Sequence, residues 1–341
     1  MAAIRDLRCS TAAGFITAVV LLATPVVTCA QAGIGTVNNG STNGEMVFVS
    51  AGPFEMGSDR IDTENKSQEL GFAKPWYEDE HPQHQVNLPA FWIDVHEVTN
   101  RQYRDFVIEE NYEINPLWRK NGYLLGLKIL EKAELTVLRR LAGEVFELGF
   151  DFRELDQAAL IEAIEKKRHM LDDLPVTNVT WQNARDYCEA VEKRLPTEAE
   201  WEKAARGPDG LEYPWGNQWD PGKLNAGGGA EWEFGVAPVM TYGSGKSVYG
   251  VFNMAGNVKE WVQDWYQPYS QSTFQSDVYG EKHKVVRGGG WGGIGHYALS
   301  HFYRAAYRAH ADPEAKFVDV GFRCARDQEL ARGSHQSLSP D

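Results

Sequence analysis

The chain of 341 residues carries 48 Asp and Glu against 34 Lys and Arg, a formal net charge of -14, with 43% hydrophobic and 12% aromatic content. That balance argues against a nucleic-acid binder, because neutralising phosphates needs a basic face and no Lys/Arg-rich run occurs. It suits one large domain with a sizeable core, in an acidic protein that retains metal cations.

Arg5 and Arg8 precede an apolar stretch over residues 12–27, and Ala30-Gln31-Ala32 supplies a small-x-small cleavage site, so residues 1–32 read as a secretory signal and the mature protein as secreted or periplasmic. The stretch falls short of roughly 20 apolar residues and contains Thr17 and Pro25, which argues against a membrane span. Cys29 offers lipoprotein acylation as the alternative route. Residues 33–45 are rich in Gly, Asn, Ser and Thr and read as a flexible linker.

The folded domain is expected over residues 46–327. Residues 46–49 and 54–57 alternate as strands around the Gly52-Pro53 turn, predicting a hairpin. After a polar, acidic stretch over 59–84, strand character returns at 86–88 and 91–93. Thr99 with Gln102 forms a capping box ahead of Tyr103, Phe106 and Val107 on one helix face, and Thr197 with Glu200 repeats the device ahead of Trp201, Ala204 and Ala205.

Between these helices the composition shifts to Leu, Glu, Lys and Ala, predicting an inserted helical subdomain over about residues 118–170. Its faces read as Leu127, Leu130, Leu138, Leu141 and Val145, then Leu155, Ala158, Ala159, Ile161 and Ile164. It covers a flank of the main domain or docks an unknown protein partner. From Pro175 onward short strands and loops are expected, and residues 328–341 form a polar, disordered tail.

With Cys9 and Cys29 removed by signal cleavage, Cys188 and Cys324 remain. In an oxidising compartment they read as a disulfide, the alternative being two buried free thiols. Such a bond closes a loop of over a hundred residues and contributes on the order of 4 to 5 kcal/mol in the chain-entropy model.

Several segments, in order, carry a resemblance: MVFVSAGPFEMG from Met46, FWIDVHEVTNRQYRDF from Phe91, PVTNVTWQNARDYC from Pro175 and RLPTEAEWEKAARG from Arg194. YPWGN from Tyr213, NMAGNVKEWVQDW from Asn253, RGGGW from Arg287 and GFRC from Gly321 complete them. Together they resemble the formylglycine-generating-enzyme, or sulfatase-modifying-factor, family. The resemblance implies an α+β domain related to the C-type-lectin-like fold, with low regular secondary structure, bound calcium and a bond between the two cysteines already paired above.

The family's calcium pattern falls on Asn253, Gly256, Val258 and Glu260, oxygen donors of the kind a hard cation takes. A second set falls on Asn225, Ala226, Glu231 and Glu233, where Gly227-Gly228-Gly229 and Trp232 depart from the usual spacing. The alternative for both is hydrogen-bonded asparagines and exposed glutamates in Gly-rich loops.

Active members of that family oxidise a substrate cysteine to formylglycine with O2 and a copper ion held by two cysteines. Here Gly293 occupies the first expected position and Ala298 or Ser300 the second, and no cysteine lies between Cys188 and Cys324. Soft thiolates favour monovalent copper, and glycine, alanine and serine do not replace them. The resemblance therefore implies a non-catalytic binding or accessory module whose protein or small-molecule partner the sequence leaves unnamed. Alternatives are a divergent copper- or iron-dependent oxidase using His296, His301, Tyr303 and Arg304, with His310 further along, or formylglycine generation by an unrecognised route. Surface or hydrogen-bonding histidines are the plainer reading of the same residues.

Overall fold

The computed structural model describes residues 36–38, 44–72, 74–114, 122–227, 235–291 and 299–328, all within the unit Ile34–Asp341. The expected signal segment, Glu231, Glu233, Gly293, His296, Ala298 and most of the tail lie outside the described residues.

Strands β1 (Thr36–Asn38), β2 (Glu45–Val49), β5 (Phe91–Asp94) and β10 (Ala325–Asp327) form one antiparallel sheet in the order β1-β2-β5-β10. β3 (Gly52–Met56) pairs with β4 (His84–Leu88) in a second sheet. The expected hairpin is therefore corrected: β2 and β3 adjoin in sequence but belong to different sheets, β2 pairing with β5 from Met46↔Asp94 to Val49↔Phe91. Gly52 at φ 128 redirects the chain between sheets instead of folding it back. The expected linker is corrected too, since Thr36↔Val47 and Asn38↔Glu45 place part of it in the first sheet.

The third sheet runs β8-β7-β6-β9, from β6 (Lys259–Trp265), β7 (Lys284–Arg287), β8 (Ala309–Ala311) and β9 (Val320–Phe322). Only its β6–β9 pair is parallel. Helix α1 (Asn100–Glu109) starts at a complete Thr99–Gln102 capping box and buries Tyr103, Phe106 and Val107. Helices α2 (Trp181–Ala190) and α3 (Glu198–Arg206) open on boxes too, Thr180 with Asn183 and Thr197 with Glu200. Trp201, Ala204 and Ala205 on α3 are fully buried against Val47, Ile93 and Val262. The bond between Cys188 and Cys324 fastens α2 to the stretch linking β9 and β10.

The insert consists of α4 (Leu127–Leu130), α5 (Leu135–Glu144) and α6 (Gln157–Asp172) around Leu130, Leu138, Ala142, Phe146, Leu160 and Ile164. Of the expected faces, Leu130, Leu138 and Ile164 lie in this core and Leu141, Val145, Leu155 and Ile161 pack against it, whereas Leu127 and Ala158 are exposed. The buried line of α6 is Leu160, Ile164, Arg168 and Leu171. The buried line advances by four, four and three residues, as the helical period requires. Asn100 Nδ2 donates to Leu171 O at 3.0 Å and Arg104 pairs with Asp172, tying α6 to α1. No helix among the described residues is long and apolar enough to cross a membrane.

Candidate functional site

β7 ends at fully buried Arg287, and the chain then turns through Gly288 and Gly289 at φ 97 and 67. A Cβ on Gly289 would stand 2.6 Å from Phe302 O and 2.7 Å from the Tyr303 ring, so only glycine lets this turn lie against the 3-10 turn Ser300–Tyr303. Of the positions expected for the family's thiols, Ser300 alone is described, and it is half-buried. Cys188 and Cys324 are joined to each other, so no thiolate stands among the described residues.

Of the candidate oxidase residues, His301, Tyr303 and Arg304 are buried. His301 stacks on Trp76, centroids 4.2 Å apart and planes 9° from parallel, and meets Tyr77, Phe302 and Tyr307 edge-on. Burial, with help from Arg304, Lys74 and Arg60, pushes its imidazole down to about 2, so it is neutral at working pH. Tyr303 is buried, donates from its hydroxyl to Ala226 O at 3.1 Å and stacks on Trp219.

Arg304 forks onto the Glu80 carboxylate and lies 4.4 Å over the Tyr77 ring. Burial opposes its charge, but Glu80 outweighs that and raises its affinity for the proton. Arg308 forks onto Glu198 at 2.7 and 2.9 Å, and Arg287 reaches Glu202 at 2.6 Å and Glu198 at 3.1 Å. These acids escaped the sequence reading because their partners lie 85 to 224 positions away. One signal was available: the aromatic–acid run Trp76-Tyr77-Glu78-Asp79-Glu80 complements the Tyr/Arg stripe of Tyr303, Arg304, Tyr307 and Arg308.

His310 stands apart from His301 in bonding, with its Nδ1 2.8 Å from Nδ1 of His283. His296 lies outside the described residues. The expected histidine cluster is thus not assembled among the described residues, and no group of three or more His, Cys, Asp or Glu side chains there converges on a metal.

In the first calcium set the Glu260 carboxylate is engaged within the protein. Glu260 is fully buried, and its two carboxylate oxygens take Arg323 at 2.7 Å each while one also accepts Trp201 Nε1 at 2.9 Å. A dication on those oxygens would sit beside the guanidinium that already neutralises them. Asn253 at φ 55 donates its amide to Glu97 at 2.9 Å and to Val239 O at 2.8 Å. Gly256 N donates to Gly288 O at 2.8 Å, and buried Val258 packs in the cluster with Leu171 and Leu174. Burial lifts the Glu97 carboxyl to about 7, Arg323 opposing and Glu260 adding to the rise. In the second set, the Asn225 amide donates to Gly235 O at 2.8 Å and the Ala226 carbonyl takes the Tyr303 hydroxyl. Glu231 and Glu233 lie outside the described residues.

Residues 32–328 match the family described as the Sulfatase-modifying factor enzyme 1-like domain. The chain is 31% identical over 301 residues to Inactive C-alpha-formylglycine-generating enzyme 2 of Bos taurus, covering 85% of this chain and 90% of that protein. It is 32% identical over 274 residues to the Formylglycine-generating enzyme of Streptomyces coelicolor, covering 75% and 84%. It is also 33% identical over 294 residues, or 83% of this chain, to Serine/threonine-protein kinase Pkn1 of Chlamydia trachomatis, of which it spans 38%. Among solved structures, PvdO from Pseudomonas aeruginosa aligns over 86% of this chain and 98% of its own, at 21% identity and a TM-score of 0.55. Treponema denticola variable protein 1 aligns over 89% and 100%, at 19% identity and 0.54. The chain belongs to the formylglycine-generating-enzyme, or sulfatase-modifying-factor, family and has its α+β fold.

Proposed function

We propose that this protein is an exported, non-catalytic member of its family that acts as a binding or accessory module. The observation that carries the reading is the state of the candidate oxidase residues: His301 is neutral and caged, Tyr303 donates to backbone, and Arg304 is spent on Glu80. None is left as a base, nucleophile or soft-metal ligand, and the family's copper does not fit a chain whose described cysteines are bonded to each other. Incubating the protein with copper, O2 and a cysteine-containing sulfatase peptide is the test. The peptide mass should stay unchanged, and conversion to formylglycine overturns the reading.

Export rests on the Arg5/Arg8 start, the apolar stretch and the Ala30-Gln31-Ala32 site. Amino-terminal sequencing of the mature protein should begin at Gly33, whereas acylated Cys29 would make it a lipoprotein. Calcium remains a proposal at Asn253, Gly256, Val258 and Glu260, and at Asn225, Ala226, Glu231 and Glu233, sets in which carboxylates accompany other chain oxygens. Removing calcium with a chelator should lower Tm, and an unchanged melt discards both sets. The partner surface proposed is the insert, where Leu127, Ile129, Phe150 and Met170 are exposed. Deleting residues 122–167 should abolish partner capture while the remaining domain still melts cooperatively.

A further inference from the structure

The outer strand of the third sheet carries a pair of histidines that neither the family pocket nor the calcium sets use. His310 lies on β8, opposite Val285, and His283 immediately precedes β7, so the two rings are diagonal neighbours on one face. Their Nδ1 atoms stand 2.8 Å apart. Both residues are half-buried, which leaves room for water at the pair.

Both are anchored through one residue. The His310 ring lies against the Tyr266 ring at 4.4 Å, and the Tyr266 N–H donates to the His283 carbonyl at 2.8 Å. The Tyr266 hydroxyl donates to Asp79 at 2.5 Å, so the residue that packs on the His310 ring and holds the His283 backbone is itself pinned. The nearby Lys74 cation is offset by Asp79 at 2.6 Å, whose other oxygen has no hydrogen-bond partner.

Two facing imidazole nitrogens either share one proton or bind one ion. With metal–nitrogen bonds of about 2.0 Å, two cis ligands at ~90° stand ~2.8 Å apart, whereas a tetrahedral angle spreads them to ~3.3 Å. The observed spacing thus matches the square-planar or tetragonal geometry of divalent copper and nickel better than that of zinc. We propose that His283 and His310 form a two-histidine site for a divalent late transition metal of the copper–nickel class, with water completing its shell. The ion would clip the edge strand β8 to the start of β7.

Copper(II) and nickel(II) titrated into chelator-stripped, tag-free protein test this by calorimetry. One equivalent of each should bind saturably. His283→Asn and His310→Asn should each weaken binding roughly tenfold or more. His169→Asn, which alters an exposed histidine beside Asp172, should leave binding unchanged. The copper(II) paramagnetic resonance spectrum of the unaltered protein should show coupling to two nitrogens, falling to one in either variant. Absence of saturable binding, a spectrum without two-nitrogen coupling, or undiminished affinity in both folded variants overturns the site. The spectrum of the unaltered protein decides the matter even where a variant does not fold.

Discussion

The interior around Arg304 and the core of the helical insert are buried to the same degree by opposite means. In the first, Arg287, Arg304 and Arg308 are essentially inaccessible, and each charge is met by Glu198, Glu202 or Glu80. In the second, Leu130, Leu138, Ala142, Leu160 and Ile164 pack together in one apolar cluster. An apolar core answers a substitution by its change in volume, whereas an ion-paired interior answers by the charge left behind. The interior around Arg304 is therefore held by groups whose loss is felt as electrostatics, while the insert is an ordinary small hydrophobic core.

The largest expected effect lies at the edge of the charged region, where Cys324 follows Arg323. Replacing Cys188 and Cys324 together by alanine opens a bond spanning 136 positions and should cost on the order of 4 to 5 kcal/mol in urea unfolding. A loss below about 1 kcal/mol would mean that the Arg323–Glu260 pair holds this region without the covalent tie.

Next comes Arg304→Met, which leaves Glu80 buried and uncompensated and should cost about 3 to 5 kcal/mol. Adding Glu80→Gln to that variant should recover most of the loss, which sharpens the contrast with the insert. If the double variant is as unstable as the single one, packing and not charge holds this interior. In the insert, Leu160→Ala should cost about 3 kcal/mol, with no partner change able to rescue it. Hydrogen exchange should speed up in α5 and α6 first, and equal acceleration in α3 would erase the distinction between the two regions.

The same contrast explains what the sequence disclosed. Local signals were legible: Thr99 with Gln102 and Thr197 with Glu200 announce their helices because a capping box is complete within four residues. The segments carrying the family resemblance revealed the fold, and two cysteines implied the bond between Cys188 and Cys324. Strand partnership was not legible, since β2 lies beside β3 in the chain yet pairs with β5 more than 40 residues on. Nor was the fate of Arg304 and His301, whose partners Glu80 and Trp76 come from a stretch that reads only as polar, acidic loop. Charge and aromatic content of a segment are visible in sequence, but whether its carboxylates meet solvent, a metal or a buried guanidinium depends on contacts over 200 positions away.

The smallest of these effects concerns pH. His301 has an ordinary value of 6.5 in the unfolded chain and about 2 in the fold, where burial and the neighbouring Arg304 disfavour its charge. Between those values the unfolded state binds a proton that the folded state does not, so stability rises with pH across the window. The contribution is complete above pH 6.5 and is lost progressively as pH falls, by about 2 kcal/mol at pH 5. His301→Phe keeps an aromatic ring against Trp76 but removes the titration, so its stability should fall less than that of the unaltered protein between pH 8 and pH 5. Carboxylates titrating in the same range act on both proteins, and the difference between the two curves isolates the imidazole. Parallel curves would mean that His301 accepts a proton in the fold, and with it that the aromatic cage opens to water.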